Sequence, residues 1–222
     1  MADAMPGSEV GRRYDRIARF YDAFEAPMDL LGGHRRRART ITGAWGRTLE
    51  VGIGTGRNMD LYPPEVGLTG IDIAPRMLAR AERRAQRLGR PVGLEVADVE
   101  DLPFSESSFD TVTATCVFCS VSDPVAGLRE VARVTRSEGQ VLLLEHVRPR
   151  NRLLGLVFDR LSPLVQRLVG PAINRHTEAN VRAAGLDIVD VERRGIWREI
   201  RARPATGELA AATPDATAEQ RS

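Results

Sequence analysis

Thr48-Leu49-Glu50-Val51-Gly52-Ile53-Gly54-Thr55-Gly56 decides the architecture of this 222-residue chain. Residues 48–53 form a short apolar run that reads as a buried strand, and the run breaks into alternating glycines. Glycine leaves no side chain in the way of a ligand lying on the backbone, so this is a strand turning toward a helix beneath something small. Outward from that turn, strand and helix alternate. Residues 68–73 read as strand, 75–88 as helix with Pro75 at its start, 92–97 and 109–118 as strands, 123–135 as helix and 140–147 as strand. After a break, 177–184 reads as helix closed by Gly185, followed by strands at 187–192 and 196–203. Right-handed strand–helix–strand crossovers then give an α/β, doubly wound, mostly parallel sheet that ends in a hairpin.

The flanks differ from this core. Tyr14, Ile17, Ala18, Tyr21 and Phe24 share one stripe of a helix over 9–24, and a second helix is expected at 34–42. Residues 151–170 carry Leu154, Val157, Phe158, Leu161, Leu164, Val165 and Leu168 on one side and Arg152, Asp159, Arg160, Gln166 and Arg167 on the other. Residues 205–222 hold a single large aliphatic, Leu209, and are expected to be disordered. The organisation expected is one domain over 1–204, with a helical cap at 9–45, a ligand-binding core at 48–147 and a lid or substrate segment at 148–180.

Composition excludes several classes. No apolar run approaches the ~20 residues of a bilayer-spanning helix, the N-terminus lacks the apolar stretch of a signal peptide, and two cysteines give no disulfide framework. A cytoplasmic protein is expected. All 32 basic residues are arginine, and the net charge is +2. The charge is segregated: +3 over 1–47, −5 over 48–147, +6 over 148–204 and −2 over 205–222. Two basic flanks around an acidic middle suit an anionic substrate or an anionic membrane surface, with peripheral attachment at the inner membrane face, or else are solvated helix faces. Nucleic acid is not expected, because aromatic residues are only 5% and do not interleave a basic run. His34 opens HRRRAR, read as a solvated face first and an anionic headgroup site second.

A dinucleotide fingerprint needs G-x-G-x-x-G, but Arg57 and Met59 stand where its last glycine belongs, which weakens a nicotinamide-cofactor reading. Twenty residues after Gly52 the next strand ends at Asp72, followed by Ile73, where a carboxylate can accept from both hydroxyls of a ribose. The pattern E-x-G-x-G-x-G, with Glu50, Gly52, Gly54 and Gly56, resembles motif I of the class I S-adenosylmethionine-dependent methyltransferases. The resemblance continues through 97–104, which looks like that family's adenine-binding turn, and through 107–147, which looks like its fourth strand, helix and fifth strand. It implies a seven-stranded Rossmann-like sheet with N-terminal helices and a helical insertion before the last hairpin. S-adenosylmethionine is then the implied cofactor, with Asp98 accepting from the adenine amine and the Val99 N–H reaching the ring. YDRIARFYD at 14–22 resembles the ubiquinone/menaquinone C-methyltransferases and the phospholipid N-methyltransferases, while TCVFCSVSDPVAGLREV is also similar to alkyl-thiol methyltransferases.

That resemblance implies transfer of a methyl group to a small lipophilic acceptor, a phospholipid amine or a quinol. A thiol, another small molecule, or a non-catalytic cofactor-binding module are the alternatives. By the same resemblance the N-terminal element folds over the cofactor, with Tyr14 binding it and Tyr21, near its methionine part, a candidate catalytic residue, although core packing explains both tyrosines equally well. Cys116 is expected where the fourth strand ends beside the cofactor. Its spacing from Cys119 suggests neither metal nor disulfide, because i and i+3 on a strand point to opposite faces. His146, at the end of the fifth strand, is the candidate general base. His176 is expected as a loop or helix-entry residue.

Overall fold

The computed structural model describes residues 7–19, 21, 29, 32–146 and 177–205. Five helices and seven strands lie within them: α1 (Gly7–Ile17), α2 (Gly33–Ile41), β1 (Arg47–Val51), β2 (Gly67–Asp72), α3 (Pro75–Leu88), β3 (Val92–Val96), β4 (Phe109–Thr115), α4 (Pro124–Val134), β5 (Thr135–His146), α5 (Thr177–Ala183), β6 (Leu186–Arg194) and β7 (Trp197–Pro204). The sheet order is β3-β2-β1-β4-β5-β7-β6, with β7 antiparallel to both of its neighbours. The expected seven-stranded, doubly wound sheet and its final hairpin are therefore present.

The central strands are covered on both faces, which is why they read as continuous apolar runs rather than alternations. Along β5, Val141 and Leu143 enter one core with Leu49, Val51, Ile71, Leu128, Val131 and Val181, beneath α4 and α5. Leu142 points the other way, into a second core with Ile41, Met59, Tyr62, Leu68, Leu78, Ala81 and Ala85, beneath α2 and α3. Helix ends follow local chemistry. Asp123 caps α4 by accepting from the Val125 and Ala126 N–H groups at 3.0 Å, with Pro124 in the first turn. The cap residue of α3, Ala74, has no side chain to offer, and Asp15 of α1 accepts the Arg76 N–H instead, at 2.8 Å. That bond seats α1 on the start of α3.

Several boundaries differ from expectation. The strand expected over 109–118 stops at Thr115, because Cys116 turns into left-handed backbone at φ +57°. The opposite-faces argument for Cys116 and Cys119 therefore does not apply; both are free thiols on a turn, where the Cys119 thiol donates to the Cys116 carbonyl at 3.3 Å. β5 begins at Thr135 rather than 140. Between Phe109↔Thr135 and Thr111↔Gln140 it carries extra residues as a bulge, and a Cβ on Gly139 would lie 2.8 Å from the Asp110 carbonyl oxygen. Gly139 thus fits where the bulge brings β5 against β4. The arginines of HRRRAR are not simply solvated: Arg36 and Arg39 each donate to Glu199 at 2.8 Å, and Arg37 is buried against Asp29. Asp29 also accepts from Arg57, tying α2 to the glycine turn. The helix expected at 151–170, His176 and nearly all of the 205–222 tail lie outside the described residues. No helix among the described residues is long and apolar enough to cross a membrane.

Candidate active site

The strand order reverses direction at β1 and β4, and a cleft opens over the carboxyl ends of the strands at that point, as the topology requires. It spans about 730 Å³, open mouth included. Four turns build it. After β1 come Gly52 and Gly54; after β2, Asp72 and Ile73; after β3, Asp98, Val99 and Glu100; after β4, Cys116, Val117, Ser120, Val121 and Ser122. Tyr14 and Tyr21 line it from the N-terminal side, and Met77 from the first turn of α3.

The glycines do three different jobs. Gly52, Gly54 and Gly56 all have positive φ, at +63°, +58° and +78°. A Cβ on Gly52 would strike a Val117 methyl at 2.6 Å, so this glycine allows the β1 and β4 turns to meet. At Gly54 the nearest atom to an added Cβ is 4.0 Å away, so the space above it is open to the cleft. Gly56 does not line the cleft; its Cβ position is filled by Met59, and it serves packing.

The carboxylates are held before any ligand arrives. Asp72 accepts the Gly54 N–H and the Ala74 N–H, both at 2.9 Å, one on each oxygen. Burial pushes its pKa up to about 6, against these two bonds, which favour the charged form. Asp98 accepts the Glu100 N–H at 3.0 Å in a local turn. Glu50 is not in the cleft wall. It lies beneath the glycine turn, 1% exposed, accepting from Asn58 at 2.6 Å, and burial raises its pKa to about 8.

Two further residues shape the cleft and were not anticipated. Glu145 is buried in β5, and its Oε1 accepts the Val117 and Phe118 N–H groups at 2.9 and 3.0 Å, fixing the turn after β4. Its signal was a carboxylate inside the apolar run Val141 to His146. Ser120 meets the Tyr14 hydroxyl at 2.7 Å, and Tyr14 and Tyr21 contact edge to face with centroids 6.1 Å apart. His146 stands at the carboxyl end of β5, edge-on to Trp197, and is not among the residues lining the cleft. Burial lowers its pKa, so it is neutral at neutral pH.

Among the described residues no arginine lines this cleft, in a chain that carries 32 basic residues, whereas three carboxylates, Asp72, Asp98 and Glu100, do. An acidic wall suits a ligand bearing positive charge and opposes the pyrophosphate of a nicotinamide dinucleotide. Residues 49–143 match the family described as "Methyltransferase domain". Demethylmenaquinone methyltransferase of Roseiflexus castenholzii is 32% identical over 209 residues, covering 86% of each chain. The chain belongs to the class I S-adenosylmethionine-dependent methyltransferases. Its cofactor is S-adenosylmethionine. Phosphatidylethanolamine N-methyltransferase of Cereibacter sphaeroides is 39% identical over 139 residues, 62% of this chain and 68% of that one. In fold, this methyltransferase is similar to the crystal structure of the [4+2]-cyclase SpnF, with a TM-score of 0.71 at 20% identity over 92% of this chain and 98% of that one. It is likewise similar to the YcgJ protein of Bacillus subtilis, with a TM-score of 0.64 at 20% identity over 78% and 100%. A cyclase on the same fold means that the acceptor has to be argued from the site.

Proposed function

We propose that Gly52, Gly54, Asp72, Ile73, Asp98, Val99 and Cys116 hold the cofactor, with Tyr14 and Tyr21 over it, and that the methyl acceptor is a small lipophilic molecule, a phospholipid amine or a quinol. The open space above Gly54 and the preset Asp72 carboxylate fit a nucleoside whose ribose hydroxyls need an acceptor, and the acidic wall fits the positive charge of a sulfonium. When bound, the cofactor supplies an already activated methyl group. What the protein adds is alignment of the two reactants and exclusion of water. α1 contributes to both, since Asp15 anchors it on α3 and Tyr14 fastens it to Ser120 across the cleft. For an acceptor that must lose a proton, His146, neutral at working pH, is the base proposed.

The observation that carries the lipophilic acceptor is the reach of the similarity to the demethylmenaquinone methyltransferase. It extends well past the cofactor-binding core into both flanks of the chain. The phospholipid-amine reading rests on the higher identity, over a shorter span, to the phosphatidylethanolamine enzyme. Membrane contact at the inner face would follow from either acceptor. The test incubates the protein with methyl-labelled S-adenosylmethionine and a total lipid extract of its host, and follows label into organic and aqueous phases. Label in the organic phase is expected, and His146→Ala should lower its rate without changing cofactor affinity. Label confined to soluble products would overturn the lipophilic acceptor, and no label despite cofactor binding would favour a non-catalytic module.

A further inference from the structure

We propose that the arginine face of α3 is a binding site for a phosphate group, separate from the cofactor cleft. At about 100° per residue, Arg76, Arg80, Arg83, Arg84 and Arg87 fall within one ~100° arc of the helix, while the helix's one acid, Glu82, lies on the far side. Arg80, Arg83, Arg84 and Arg87, with Thr55 of the glycine turn, line a hollow of about 320 Å³, open mouth included. It shares no residue with the cofactor cleft.

Among the described residues no carboxylate pairs with Arg80, Arg83 or Arg87, although most arginines elsewhere that pack against the sheet, such as Arg36, Arg37 and Arg133, have acidic partners. Arg80, half-buried at the wall of the hollow, has an Nε with no hydrogen-bond partner. Like charges at i, i+3 and i+4 also oppose one another along the helix. A single multiply charged anion in the hollow would relieve this repulsion, and several planar guanidinium forks around one hollow match tetrahedral phosphate oxygens better than a lone carboxylate charge does. The cofactor has no phosphate, so this site is not part of its binding. The phosphate can sit on a lipid headgroup or be free; both present the same group to the arginines, and the inference does not depend on the methyl acceptor.

The test compares the full chain with Arg83→Glu/Arg87→Glu and, at equal change of charge, with Arg201→Glu/Arg203→Glu on exposed positions of β7. One arm measures sedimentation with vesicles of phosphatidylglycerol in phosphatidylcholine against phosphatidylcholine alone. The other measures the melting temperature with pyrophosphate at constant ionic strength. A loss of about tenfold or more in affinity for the α3 variant alone, in either arm, supports the site, and the arm that responds identifies the source. Arg83→Gln/Arg87→Gln should show the same loss in smaller degree, guarding against a folding defect from charge reversal. Equal losses in both glutamate variants, or no binding of either probe by the unaltered chain, would overturn the proposal.

Discussion

The hydroxyl of Tyr14 and the Oγ of Ser120 lie 2.7 Å apart, 106 residues apart in sequence, and this contact joins α1 to the turn after β4 across the cofactor cleft. The bond bears on how tightly the cleft closes rather than on whether the domain folds. Tyr14→Phe keeps the ring against Tyr21 and removes only the hydroxyl. S-adenosylhomocysteine binding measured by calorimetry should weaken by about two- to tenfold, the equivalent of ~0.5–1.5 kcal/mol for one hydrogen bond, with little change in melting temperature. Unaltered affinity would show that α1 does not close on the ligand.

Cofactor affinity should depend on pH through Asp72. Burial raises its pKa from 3.8 to about 6, and a ribose needs the ionised, accepting form. Affinity should be flat above pH 7 and fall as pH drops below about 6, approaching tenfold per unit. Asp72→Asn should bind more weakly at pH 7 and lose this dependence. A wild-type profile unchanged from pH 7 to 5 would remove Asp72 from the site.

Glu50 predicts a stability profile. Its pKa is raised by burial from 4.5 in an ordinary setting to about 8 in the fold, so between those values the folded state holds a proton that the unfolded state has released. Its contribution to stability is therefore complete below about pH 4.5 and is lost as pH rises through 8, by roughly a few kcal/mol. Urea unfolding at pH 6 and pH 8 should show this loss, and Glu50→Gln should flatten it. Parallel pH dependence in the two proteins would mean that Glu50 is ionised throughout.

Glu145 should matter to the turn after β4. Glu145→Ala leaves the Val117 and Phe118 N–H groups without their acceptor, a loss of about 2–6 kcal/mol at ~1–3 kcal/mol per buried donor. Glu145→Gln, which keeps an oxygen there, should lose less. Denaturant midpoints would measure both, and equal losses would point to charge rather than hydrogen bonding as the source.

Most of the sheet was legible because its strands are short apolar runs punctuated by glycine or followed by Pro-started helices, as at Val51–Gly52 and Asp123–Pro124. Most of the cleft residues were legible too, since Gly54, Asp72 and Asp98 sit where parallel strands end. The end of β4 was not, because Thr115-Cys116-Val117-Phe118 continues an apolar pattern, while the carboxylate that accepts from its turn, Glu145, is 27 and 28 residues away in sequence. Gly56 looked like a ligand-facing glycine, yet its neighbour is Met59, a contact that spacing alone does not reveal. The ion pairs of Arg36 and Arg39 with Glu199 join segments 160 residues or more apart, beyond any local pattern.

The most direct test of the cofactor site is the dissociation constant of S-adenosylhomocysteine for the unaltered chain and for Gly54→Asn. Asparagine is among the side chains that adopt a positive φ most readily, and no atom beyond its chain neighbours lies closer than 4.0 Å to an added Cβ there, so the backbone strain is small beside the clash with the ligand. Gly54→Asn should lower the melting temperature only slightly and reduce affinity by about a hundredfold or more. Equal affinity in the two proteins would place the cofactor elsewhere and contradict the site.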